Sequence, residues 1–348
     1  MAGETRKERL RTILRQTLAK QLQSESEPRH PDSRAWCFPG PWGAFFDERS
    51  AWNSATRLNP DLYKELIGTF DENQIREILL AAADIKISRT TLTDGKIEIL
   101  QAIAEKHRFQ IVASADRWIL RADRGKGGWA NRKERLAEPG EPGGVRNVYI
   151  ASATTLAETG RLLDQAGEDD LFGALLGIPL CCREAFDRSK AHAAREQFDF
   201  VPYVLDNTPG DMPYDWRLNY TAQYFGSSLL SFFPCSFRCP TAAAIVDSTA
   251  AMLSHCDYTW ASRSVELHKT NILYTETRGL HLFRAPLRNG QISYSPRDLQ
   301  SSEPTELAHL LQQGDRLKVG GKHSAQIYRG PTKIGDVTGA GTCMCVFY

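Results

Sequence analysis

The sequence lacks an excess of charge of either sign. Its 43 basic residues face 42 acidic ones, so no whole-molecule field draws it to nucleic acid. Long apolar runs are also missing, and none nears the roughly 20 residues that a membrane-spanning helix needs. The opening stretch, MAGETRKERLRTILRQTLAKQ, has no apolar segment of the secretory kind. Glu4 and Glu8 speak against a transit peptide, and the expectation is a cytoplasmic chain with no membrane partner. Catalytic signatures are absent as well: there is no HExxH, no G-x-S-x-G and no complete dinucleotide fingerprint. The GKGG at 125–128 lacks the rest of a phosphate loop. No internal repeat is present.

Cysteine is not scarce. Eight occur in 348 residues, too thinly spread for a small disulfide scaffold. Four stand in two pairs, Cys181–Cys182 and Cys235-x3-Cys239, while Cys37, Cys256, Cys343 and Cys345 are scattered. In a large chain of this kind, clustered cysteines point to metal or redox chemistry.

Periodicity predicts an α+β fold in five parts. Residues 1–34 form a basic amphipathic helix, with Leu10, Ile13, Leu14, Leu18 and Leu22 at helical spacing, followed by a polar linker. Residues 35–121 read as an α/β N-terminal domain. Its helical patterns, one opening at the cap-like Asp71, lead into the strands FQIVAS and RWILRA. Residues 122–144 are a Gly-, Pro- and Arg/Lys-rich loop. Residues 145–262 are a helical region carrying the paired cysteines. Residues 263–348 are a small, mostly-β unit of short alternating runs. Within the helical region, 200–218 reads as an irregular connection, and helix returns around NYTAQYFGSSLL.

The cysteine pairs share a local grammar. Pro179 suits a helix start, which places Cys181 and Cys182 in the first turn. Pro240 suits the first helical position and makes Cys239 the cap, with Cys235 just upstream. A helix N-terminus offers unpaired N–H groups and the positive end of the dipole, which favour thiolates and anionic centres. Cys181, Cys182, Cys235 and Cys239 are therefore the predicted ligands of one centre.

Two sequential helical side chains diverge by about 100°. A wide cluster accepts that divergence more readily than a single ion, so the expected cofactor is an iron–sulfur cluster of the 4Fe-4S kind. Zinc is the alternative, and a vicinal-thiol oxidoreductase is a third reading. Arg183, Arg238 and Ser236 are the candidate catalytic residues beside the ligands. They would hold a small polar or peptide substrate next to a cluster acting as Lewis acid or electron donor. His192 is a weaker ligand candidate. His255 and Cys256 lie about 22 Å along the second helix at 1.5 Å per residue, too far for the same centre. Asp206, Asn207, Asp211, Asp215 and Asn219 suit turns. Cys343 and Cys345 share one face of a strand.

Known cysteine motifs fit poorly. A radical S-adenosylmethionine motif needs a cysteine where Ala242 stands, and the repeat of heterodisulfide reductases has glycine where Arg183 stands. The final Cys345-Val-Phe-Tyr matches a prenylation box only formally, and burial of Val346 and Phe347 is expected instead. The words LLGIPLCCREAF and FFPCSFRC do resemble an uncharacterised prokaryotic domain-of-unknown-function family, number 483. Its members carry G-x-P-x-C-C-x-x-x-F and a later P-C-S-x-x-C. The resemblance covers about residues 145–345. It carries over Gly177, Pro179, Cys181, Cys182, Phe186, Pro234, Cys235, Ser236 and Cys239. The chain departs from the pattern at Phe232–Phe233, where the family has a histidine. The resemblance implies one site built from four cysteines and implies no particular reaction.

Overall fold

The structure, a computed structural model, describes residues 60–120, 133–195, 200–339 and 341–348. The predicted basic helix and its linker, Cys37, and residues 121–132 of the basic loop lie outside these. The class is α+β, and every strand pair with a described register is antiparallel.

The first elements are α1 (Pro60–Leu66), α2 (Glu72–Ala82), β1 (Ser88–Leu92), α3 (Asp94–His107), β2 (Gln110–Ala113), β3 (Trp118–Leu120), β4 (Lys133–Leu136) and β5 (Arg146–Ala151). Then come α4 (Thr154–Ala166), α5 (Asp169–Leu175), α6 (Leu180–Arg195), α7 (Val201–Asp206), α8 (Pro240–Cys256) and α9 (Tyr258–His268). The remainder comprises β6 (Asn271–Thr275), β7 (Gly279–Phe283), β8 (Leu287–Arg288), β9 (Gln291–Ser293), β10 (Leu299–Ser301), α10 (Glu306–Gln313), β11 (Arg316–Gly321), β12 (Ser324–Arg329), β13 (Thr332–Thr338) and β14 (Thr342–Cys345).

The chain divides into two compact units. One takes the described residues up to Ile119 with Lys133–Glu184 and Asp247–Asp257; the other takes Ala185–Val246 and Tyr258–Tyr348. The division therefore falls inside α6 and α8.

In the first unit, α2 starts where the sequence predicts. Asp71 accepts from the Gln74 amide at 2.9 Å while the Gln74 side chain accepts from the Asp71 amide, a reciprocal cap that satisfies two otherwise unpaired donors. A three-stranded sheet, ordered β1-β5-β2, holds β5 in the middle, with Ile150 opposite both Ser88 and Ile111. Tyr149, Ala151, Ala157, Leu163, Phe172 and Leu175 close the core between that sheet and helices α4 and α5.

The second unit carries two larger sheets, ordered β10-β7-β6-β14 and β13-β12-β11-β9-β8. Leu273, Phe283, Ile292, Leu311, Leu317, Ile327 and Met344 join them with α10 into one apolar core. Two local expectations differ. The stretch expected to be irregular opens with the helix α7, whose Pro202 sits in the first turn where its missing N–H costs nothing. The helix expected around NYTAQYFGSSLL is a 3-10 helix, Tyr220–Phe225, and a further 3-10 turn, Trp216–Leu218, precedes it. Side chains hold it there: Asp215 caps the Arg217 amide, and Asn219 Nδ2 donates to the His268 and Thr270 carbonyls. Such side-chain bonds to backbone compete with helix. Among the described residues, no helix is long and apolar enough to cross a membrane.

Candidate metal centre

α5 ends in a Schellman motif. The Ile178 amide donates to the Gly173 carbonyl and the Gly177 amide to the Ala174 carbonyl, with Gly177 at φ +76°. Glycine enters that left-handed region without the Cβ clash other residues meet. The chain then turns through Ile178–Pro179 into α6. Pro179 stands one residue ahead of the helix, and its carbonyl accepts from the Cys182 and Arg183 amides, both at 3.0 Å. Cys181 and Cys182 thus occupy the first turn, as predicted.

The second pair is built from a different device. Pro240 is the first residue of α8 and Cys239 is its cap. The Cys239 carbonyl accepts from the Ala243 amide at 3.1 Å, and its sulfur accepts from the Ala242 amide at 3.5 Å. The thiol sulfur thereby does what a serine or aspartate oxygen does at other helix starts.

An aromatic column frames the loop before α8. Phe186 stacks on Phe200 at 5.1 Å, Phe200 on Phe233 at 4.2 Å, and Tyr220 meets both Phe233 and Phe237. Tyr214 and Phe347 enclose Phe237 from other sides. Phe237 itself is fully buried, and its amide donates to Thr208 Oγ1 at 2.8 Å. Packing around Phe233 and Phe237 thus holds the segment 234–239. Sequence reading did not assemble this column, although the phenylalanines crowded into FFPCSF were its signal. Phe233, in the region where the resembled family has a histidine, packs into the column.

The four thiols meet. Cys181, Cys182, Cys235 and Cys239 offer sulfur atoms that all lie within 4.8 Å of one another, and this group can hold a metal ion. The neighbouring Cys181 and Cys182 sulfurs are 3.9 Å apart. Cys182 and Cys239 are buried, Cys235 is half-buried, and Cys181 opens to solvent. The divergence of sequential helical side chains therefore does not keep this pair apart: rotation about the side-chain bonds brings the sulfurs together.

The candidate catalytic residues have structural partners. Arg183 bonds through Nη1 to the carboxylate and carbonyl of Asp170, and its stem passes beside Gly173. A Cβ at position 173 would come within 2.9 Å of that stem, so glycine there admits the arginine. Arg238 donates to the carbonyls of Asp211 and Pro213 and lies over the Tyr214 ring at 5.9 Å. Ser236 Oγ accepts from the Arg238 amide at 3.3 Å. Each of the three thus braces the loops that carry the thiols.

The remaining cysteines stand elsewhere. Cys343 and Cys345 lie on β14, opposite Tyr274 and Ile272, both buried. Burial pushes the Cys345 thiol far up, which keeps it a protonated core residue. Cys256 closes α8, and burial with the nearby Asp257 raises its thiol to about 11. The side chain of His192 lies outside the described residues. Val346 and Phe347 are buried as expected. Comparisons with protein-family models, with curated proteins and with solved structures return no match.

Proposed function

We propose that the four cysteines bind a single tetrahedral metal ion, zinc. The observation that carries this reading is the sulfur spacing. Four thiolates each about 2.3 Å from one zinc ion stand about 3.8 Å apart along the edges of a tetrahedron. The Cys181–Cys182 separation of 3.9 Å matches such an edge, and the 4.8 Å limit for the whole group leaves little to close. A cubane cluster places each thiolate on its own iron, outside the cluster, and so spreads the sulfurs further than one ion does. Charge favours a metal centre at this place, zinc and an oxidised cubane alike. Four thiolates around a divalent ion leave net −2, and both pairs sit where a helix presents its positive end.

With four protein ligands the ion has no open position, which is the signature of a structural site rather than a Lewis-acid one. The role this supports is a stapled scaffold whose bound ion organises a surface for a small-molecule or peptide partner. The paired-cysteine family resemblance fits a site of this composition and adds no reaction to it. The test is metal analysis of anaerobically purified protein beside Cys181→Ala and Cys239→Ala. One zinc per chain in colourless wild type, lost in both variants, supports the reading. Brown protein with iron and broad absorption near roughly 400 nm overturns it in favour of a cluster.

A further inference from the structure

We infer that the centre is also an oxidation-sensitive site, with Cys181 the thiolate that reacts with a hydroperoxide. This rests on the metal reading above and adds a chemistry to it. The four ligands are unequal in exposure: Cys182 and Cys239 are buried, Cys235 is half-buried, and Cys181 reaches solvent. A thiolate held on a metal keeps nucleophilic electron pairs, and susceptibility to oxidation follows thiolate character and access together. Cys181 is where both coincide.

The Cys181 thiolate attacks the outer oxygen of the hydroperoxide. The O–O bond breaks, an alcohol or water leaves after taking a proton from solvent, and Cys181 becomes a sulfenic acid. A second thiolate then attacks that sulfur, an S–S bond forms and hydroxide departs. Two thiolates have lost two electrons and the peroxide has gained them. Two ligands no longer carry charge, so the zinc ion is released.

Geometry selects the second thiolate. Cys182 is the chain neighbour, yet adjacent Cα atoms are 3.8 Å apart across a trans peptide, inside the separation a relaxed disulfide requires. Cys239 is buried and its sulfur is engaged by the Ala242 amide. Cys235, half-buried and within the same 4.8 Å group, is the resolving thiol.

The experiment uses the full chain loaded with zinc, its metal content measured first. Hydrogen peroxide is then added in the presence of a chromogenic zinc chelator, and alkylated peptides are mapped. The expected result is loss of one zinc per peroxide consumed, a Cys181–Cys235 linked peptide, and recovery of zinc binding after thiol reduction. Cys235→Ser should leave a sulfenic acid trapped at Cys181, while Cys256→Ser should release zinc like wild type. Protein without zinc before oxidant is added overturns the metal reading itself. Protein that holds zinc but keeps it under peroxide, or is first modified at another cysteine, overturns the oxidation site alone.

Discussion

Cys239 has two duties that substitution can separate. Its sulfur is a candidate ligand and also accepts the Ala242 amide at the start of α8. Metal-free Cys239→Ala should lose the cap and about 0.5–2 kcal/mol of stability. Metal-free Cys239→Ser keeps an acceptor and should unfold near wild type in urea. Both variants should fail to bind the ion. A serine variant that unfolds with the alanine one would remove the capping role.

Two buried titratable groups make pH-dependent predictions at the same scale. Glu77 is buried against Lys86 and Arg76. Burial alone would raise its carboxyl, but Lys86 and then Arg76 more than reverse this and hold it at about 2. The depressed value means the stability is present above the ordinary carboxylate range near 4.5 and is lost as pH falls towards 2. Glu77→Gln removes the carboxylate that pairs with buried Lys86 and Arg76, so it should cost about 3–5 kcal/mol at neutral pH. The gap to wild type should shrink as denaturation is repeated from pH 5 downwards.

His281 behaves differently. Burial lowers it to about 4, partly offset by its bond to the Arg278 carbonyl. Between about 6.5 and 4 the unfolded chain binds the extra proton and the folded chain does not, so stability falls as pH drops through that window. An NMR titration should find the His281 ring neutral at pH 5.5.

Among the elements, the α5–α6 corner decides where the vicinal thiols point. Gly177 closes α5 at φ +76°, a region that costs other residues about 1–2 kcal/mol. Gly177→Ala should therefore lower stability by that amount and weaken ion binding as well, measured by chelator competition. Unchanged ion affinity would detach the corner from the site. Elements of this sort were legible where a local signal fixes them, as with Asp71, Pro240 and the Cys239 cap. β1 was not, because Ser88-Arg89-Thr90-Thr91-Leu92 carries no apolar alternation. Its place comes from pairing with β5, a contact far along the chain. The 3-10 turns at 216–225 were missed for a similar reason, since Asn219 finds its carbonyl partners at His268 and Thr270.

For the whole molecule, the four-cysteine group was legible from paired cysteines at predicted helix starts. Their mutual distance was not, because side-chain rotation, invisible in spacing, brings the Cys181 and Cys182 sulfurs to 3.9 Å. The aromatic column and the bracing by Arg183 and Arg238 depend on tertiary neighbours in the same way. X-ray absorption at the zinc edge of the loaded full chain tests the central claim most directly. The account predicts a single shell of four sulfurs at about 2.3 Å. A shell with fewer than four sulfurs, or with nitrogen or oxygen in their place, would contradict it.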